Sequence, residues 1–459
     1  MTPHLSFEPE LSYDPAIPSP KTYWGDEWGT TYTVYARIAD YVQALAAASD
    51  RIQIKEYGQT YEGRRLYRLV ISSVANHQQM ETLRENNLRL TDPSLPASEA
   101  EKLIETLPVF TSFSYNIHGN EGSTTPAALQ VAYRLAAATD AATQALLDQS
   151  VIILYPCINP DGRDRYVYWY KSVQRQTLGK EPLDLEHYAP WPTGRTNHYW
   201  FDLNRDWIWG IHPESRGHTA EYQRWMPQVH VDYHEQGYHN NYFTSPGTTP
   251  RNLLLPDQYE ALSDTFGRAN IAAFDRNQIS YATREAFDFF YPGYGSSYPS
   301  VMGAIGMLTE QGGIGGGRAV ETDDGFVLTL RQRIYDHYTT SMATIRKAAE
   351  HRQMLRRYAN EAYQPSNSKS KVKAYLFPPQ AGTYLLDVLG VLHRQGVQIE
   401  TSTAEFLAGS NTKSFRDGQA VKGKVFPKGS YIVKTDQSRH LFINSIMQRN
   451  LAIEDSVMY

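Results

Sequence analysis

A single cysteine, Cys157, stands among 459 residues. That excludes an intramolecular disulfide and any structural zinc site built from several cysteines, so a metal would have to be held by histidines and carboxylates. Long apolar runs are equally scarce. The richest windows, such as VLGVLH, are short and interrupted, well under the roughly 18 residues of a membrane-spanning helix, so no membrane span is expected. There is also no excess of positive charge: 44 Lys and Arg face 49 Asp and Glu, for a net charge of −5, and no basic stripe occurs. The electrostatic footprint of a nucleic-acid binder is therefore missing. The opening MTPHLSFEPELSYDPAIPSP lacks the charged-then-apolar pattern of a signal peptide, which leaves a cytoplasmic protein or one whose leader has been removed. No repeat at a period of about 20 to 50 residues is visible.

What is abundant is aromatic polar surface, with 33 Tyr and 8 Trp, suited to stacking on and hydrogen-bonding to organic ligands. Residues 1–30, rich in Pro, Tyr and acids, read as an arm laid over the body. Helical spacing follows at 31–49, then two strand-like runs, IQIKEYG and RLYRLVIS, separated by QTYEGR in the manner of a hairpin. Buried runs PVFTSFSYN, VIILYPCI, QVHVDYH and AIGMLTE then alternate with helical stretches. This predicts an α/β domain over 31–363, with a mixed, mostly parallel central sheet flanked by helices and ligands at the carboxyl ends of its strands. One long amphipathic helix at about 326–362 closes it. Residues 364–371 have linker composition, and 372–459 read as a small C-terminal α/β unit. Its end, LAIEDSVMY, suggests a further strand left unpaired and a longer parent protein.

Within SYNIHGNEGSTTPAALQ, His118 and Glu121 lie three apart at a strand-to-helix junction. Alone this means little, since with 14 histidines about one HxxE is expected by chance. The second occurrence, His218 and Glu221, sits in a polar-faced helix opened by Pro213 and reads as structural. His118 differs because it follows a strongly apolar strand, and Thr125 with Pro126 resembles an N-cap and first turn, so both side chains can converge at the sheet edge. A catalytic zinc needs a third ligand and an open position. QVHVDYHEQG offers His234 at a strand end, with His230 as the weaker choice, sharing a face with Asp232.

Taken in order, His118-Gly-Asn-Glu121, NPDG at 159–162, DLNRDW at 202–207, VDYH ending at His234 and MLTE ending at Glu310 resemble the zinc carboxypeptidases, the family of carboxypeptidase A, over roughly residues 30–350. The resemblance implies one Zn²⁺ held by His118, Glu121 and His234, and peptide or protein C-termini as substrate. It implies Glu310 as general acid/base, and Asn204 with Arg205 as the grip on the substrate's terminal carboxylate, where a planar guanidinium can bind both oxygens. Asp202 would accept a hydrogen bond from the far nitrogen of His118 and fix its tautomer. Arg175, with Arg163 and Arg165 as rivals, matches the family's oxyanion arginine. Tyr291, ahead of Tyr294 and Tyr298, matches the tyrosine that closes over substrate.

Departures from the family pattern are Asp206 after Asn-Arg, Asn120 within the first motif and Glu235 after the third ligand. No acid lies near Ser296 and Ser297, where the family reads the substrate side chain, so a preference for basic C-terminal residues is not indicated. The stretch 163–200, long and rich in Tyr and Trp, favours a peptide over a smaller amide. Rival readings are a zinc deacylase or endopeptidase on the same site, and an inactive peptide-binding module. The likeness to bacterial members with an added C-terminal unit suggests an exported, secreted or periplasmic, enzyme. Oligomeric state has no signal in the chain.

Overall fold

The computed structural model describes residues 5–421 and 423–454. The two runs around QTYEGR form an antiparallel hairpin, β1 (Ile52–Gln59) and β2 (Arg65–Ile71), with Ile52 opposite Ile71. The apolar runs that follow give β3 (Val109–Tyr115), β4 (Ser150–Tyr155), β5 (Val229–Gly237), the short β6 (Tyr242–Phe243) and β7 (Tyr281–Ala282), and β8 (Ile305–Ile314). These eight strands make one mixed sheet in the order β1-β2-β4-β3-β5-β8-β6-β7. Its centre, β4-β3-β5-β8, is parallel. Every residue of β3 and β4 is buried, as expected for strands covered on both faces.

Helices cover both faces: α1 (Tyr35–Ala48), α2 (Thr124–Ala137), α3 (Pro160–Val173), α4 (Pro213–Trp225), α5 (Tyr259–Asn277), α6 (Leu330–Glu350) and α7 (Arg352–Ala362). Strand alternation assigns the faces. Tyr115 stacks on Tyr233 at 4.3 Å between ring centroids and hydrogen-bonds Ser341 of α6. Its neighbour Ser114 points the other way, to His218 of α4. Among the described residues, no helix is long and apolar enough to cross a membrane.

Three sequence expectations shift. The helix after the HxxE turn starts at Thr124 rather than after a Thr125 cap. Thr125 Oγ1 is spent on the Pro156 carbonyl, and Ser123, in the cap position, gives both its N–H and its hydroxyl to Glu235, whose carboxylate takes over at the positive end of the helix. The single helix expected at 326–362 breaks at His351 into α6 and α7. Residues 163–173 of the expected insert belong to α3, which Asn159 caps by accepting the Gly162 N–H, so the irregular segment begins only after Val173.

The C-terminal unit holds β9 (Ala374–Phe377), α8 (Leu385–Arg394), β10 (Glu400–Thr401), an unforeseen hairpin of β11 (Phe406–Leu407) and β12 (Val425–Phe426), then β13 (Tyr431–Lys434) and α9 (His440–Met447). β9 and β10 flank β13 in an antiparallel sheet. Leu385, Leu389 and Leu392 of α8 and Phe442 of α9 join the main hydrophobic core, so this unit is packed onto the body. No strand forms at 451–454, and residues 455–459 of that expectation lie outside the described residues.

Glu214, in the first turn of α4, is buried, and neither carboxylate oxygen finds a hydrogen-bond partner among the described residues. Burial pushes its pKa from 4.5 up to about 7. The folded state therefore binds the proton more tightly than the unfolded chain, and stability falls as pH rises between these values. Glu214→Gln should leave stability near pH 5 little changed and raise it by ~2–3 kcal/mol at pH 8. Urea melts of both proteins at the two pH values check this.

Candidate active site

The sheet's carboxyl edge is shaped by the turn leaving β3. Asn116 takes a left-handed conformation (φ 59°), which Asn tolerates better than most residues. Its Nδ2 donates to the carbonyls of His118 (2.8 Å) and Glu121 (3.0 Å), and its Oδ1 accepts from buried Arg163 (3.1 Å). The turn is pressed against two other segments through glycine. A Cβ on Gly119 would lie 2.1 Å from the Arg163 nitrogen, one on Gly162 2.4 Å from the Gly194 carbonyl oxygen, and one on Gly194 2.5 Å from that of Gly162. Three backbones thus meet where no side chain fits, which brings the residue after Gly194 to the metal ligands.

His118, Glu121 and His234 are all buried, with one ligand atom from each lying within 4.8 Å of the others. Glu121 sits between the rings, Oε1 2.8 Å from His118 Nδ1 and Oε2 3.1 Å from His234 Nδ1. The opposite ring nitrogens are engaged too: His118 Nε2 donates to Asp202 (2.9 Å) and His234 Nε2 to Asp232 (2.7 Å). With Nε2 engaged on each ring, both Nδ1 atoms face one point, where together with Glu121 they would offer a zinc ion two imidazole nitrogens and a carboxylate. Burial opposes charge on the two imidazoles, yet the carboxylates of Glu121 and Asp202 raise His118, and Asp232 and Glu121 raise His234. A concentration of negative charge therefore waits for a cation. His230 is elsewhere, in the core against Ser112 and Trp207, where burial depresses its pKa to about 4. His218 and Glu221 are likewise structural, the latter paired with Lys55 and Arg68.

Glu310 on β8 lies in register with His234 on β5, so the two side chains emerge on the same face of adjacent strands, within the carboxyl half of each and not at its end as the sequence placed His234. Burial pushes its carboxyl up to about 7, against the pull of His234 and with Glu121 adding to the rise.

Arg175 is not brought to this cluster. Its guanidinium pairs with Asp184 in the irregular segment after α3. Arg163 is buried beneath the turn, donating to the Thr33 carbonyl and Asn116, and Arg165 holds the carbonyls of Thr193, Thr196 and Asn197. The arginine beside the triad is Arg195, 3.3 Å from His118 Nδ1 and forked onto Asp202 at 2.9 and 3.2 Å. Spacing could not find it, because the irregular segment shifts its place in the sequence. Its signal was the glycine before it, packed against the NPDG turn.

Asn204 is buried: Oδ1 accepts from Trp207 Nε1 and the Gly295 N–H, which commits the amide oxygen inside the protein, and Nδ2 lies 3.0 Å from His234 Nε2. Arg205 is half-exposed, its guanidinium 4.4 Å over the Tyr294 ring and anchored to Asp202 at 3.5 Å. Tyr291 Oη donates to the Arg205 carbonyl and accepts from Trp209 Nε1. Tyr298 is buried and donates to Gln395, which removes it from the mouth. Ser296 and Ser297 are buried. Two of the departures have structural partners: Asp206 accepts the N–H groups of Ile211 and His212, and Glu235 pairs with fully buried Arg333, whereas Asn120 Oδ1 has none among the described residues.

Residues 38–243 match the profile of the zinc carboxypeptidase family. Similar solved structures include a metallo-carboxypeptidase from Burkholderia cenocepacia (15% identity, 69% of this chain and 70% of that one covered, TM-score 0.48). Another is thrombin activatable fibrinolysis inhibitor (16%, 73% and 76%, 0.46). A third is carboxypeptidase A from Helicoverpa armigera (19%, 70% and 74%, 0.44). Comparison with curated proteins returned no match. The matched segment, which carries His118, Glu121 and His234, is a zinc carboxypeptidase domain.

Proposed function

We propose that the protein is a zinc metallocarboxypeptidase that removes residues from the free C-termini of peptides. The observation that carries this reading is the grouping of the His118-Glu121-His234 triad with Glu310 in register beside it, Arg195 next to His118, and half-exposed Arg205 across Asp202. Zinc bound there supplies Lewis acidity, polarising the scissile carbonyl and acidifying a water. The chain's own groups supply the rest. The Glu310 carboxylate takes the proton of the attacking water and returns it to the leaving amine. The guanidinium of Arg195 donates to the carbonyl oxygen as negative charge develops on it. Arg205, propped by Tyr294 and Asp202, binds the substrate's terminal carboxylate and sets which bond lies over the triad. Tyr291 and Trp209 wall that pocket.

The test compares a peptide carrying a free C-terminal carboxylate with its C-terminal amide. The free acid should be cleaved with kcat/KM about a hundredfold higher, and Arg205→Met should erase most of that difference. Equal cleavage of both by the wild type would remove the carboxylate role of Arg205 and favour the endopeptidase reading.

A further inference from the structure

The segment that carries Arg205 is irregular after its single turn of 3-10 helix, Leu203–Arg205, so its backbone carbonyls have no ladder of their own. For the carbonyls of residues 207–209 the partners come from the C-terminal unit, outside the matched family segment. Gln395 Nε2 donates to the carbonyls of Trp207 (3.0 Å) and Ile208 (2.9 Å), and Arg394 donates to that of Trp209 (3.1 Å). Gln395 Oε1 in turn accepts from Tyr298 Oη (2.6 Å) and Gln223 Nε2 (3.3 Å). The side chain is 1% exposed and its polar atoms are all committed.

Its placement is built into α8. The helix ends with Gly396 in the left-handed region (φ 77°), the Gly396 N–H on the His393 carbonyl and the Val397 N–H on that of Leu392. Val397 and Leu392, the positions that pair at this kind of terminus, are both buried in the main core. Gln395 is therefore held at the helix end, aimed into the back of the 207–209 segment. The front of that segment is the pocket wall: Trp209 bonds Tyr291, which bonds the Arg205 carbonyl.

We propose that Gln395 is a positioning residue for substrate recognition, fixing the backbone that presents Arg205, Trp209 and Tyr291 to the terminal carboxylate, and that the C-terminal unit is thereby a working part of the substrate pocket. This rests on the carboxypeptidase reading above. It acts on binding and not on the triad, since no contact joins Gln395 to His118, Glu121, His234 or Glu310 among the described residues.

The test uses the full-length zinc-loaded enzyme. Gln395→Met keeps the shape and strands two carbonyls, and should raise KM for the free-acid peptide about tenfold with kcat within about twofold, while KM for the amide and zinc content stay unchanged. Arg394→Ala, at the surface and safe for folding, should raise the same KM about threefold. An unchanged free-acid KM in Arg394→Ala and Gln395→Met overturns the proposal. So does an equal loss on acid and amide, which would mark a general structural defect. If the wild type itself fails to prefer the free acid, it is the carboxypeptidase reading that falls.

Discussion

Glu310→Gln is expected to lower kcat by about three orders of magnitude while the protein still binds one zinc per chain. The magnitude follows from removing a positioned proton acceptor, which contributes roughly 10²–10⁴ to such reactions. The glutamine is isosteric and sits in register with His234 on the neighbouring strand, so the sheet edge is not disturbed. It cannot take a proton from water. Retention of metal is the discriminating half of the prediction: the triad is His118, Glu121 and His234, and Glu310 is outside it. Elemental analysis beside steady-state kinetics checks both halves. A variant that loses zinc would make Glu310 a ligand, and one that keeps full activity would leave it without a catalytic role.

His118→Ala should abolish both metal binding and hydrolysis. Its ring is the link between two carboxylates, Glu121 on Nδ1 and Asp202 on Nε2. Without it Glu121 and His234 alone remain, too few ligands for the three-residue set of a catalytic zinc site. Asp202 would keep its bonds to Arg195 and Arg205, so the pocket on the far side should persist. The expected result is a folded protein with zinc at background after dialysis and no added thermal stability when zinc is supplied, in contrast to the wild type. Zinc-dependent stabilisation in this variant would mean that another residue completes the site.

Where the chain could be read in advance, the reason is periodicity or punctuation. β3, β4, β5 and β8 are apolar runs of strand length; His118 and Glu121 come after the end of β3, and His234 and Glu310 sit in the carboxyl halves of β5 and β8, so their convergence required only the rule that α/β sites gather toward strand carboxyl termini. Residues whose place depends on an irregular path were opaque. Arg195 is fixed by Gly194 packing on Gly162, and no local pattern marks where a loop will double back. Asp232 was recognised as sharing a face with His230; β5 runs unbroken through His234, so the same alternation puts His234 on that face too, beside Asp232. The Thr125 cap failed because a tertiary partner, Glu235, occupied the helix terminus first. Gln395 was invisible for the same reason: its partners are backbone atoms nearly two hundred residues earlier.

The junction of Gly119, Gly162 and Gly194 also decides how this scaffold can be altered. Because three chain segments touch there without side chains, none can be exchanged alone: a transplanted rim must arrive with its own glycine at the crossing or prise the metal-bearing turn open. Beyond the crossing the constraint lapses. The stretch between Val173 and Gly194 is tethered at both ends and carries none of the three ligands, so its length and sequence can vary without a change at the crossing itself.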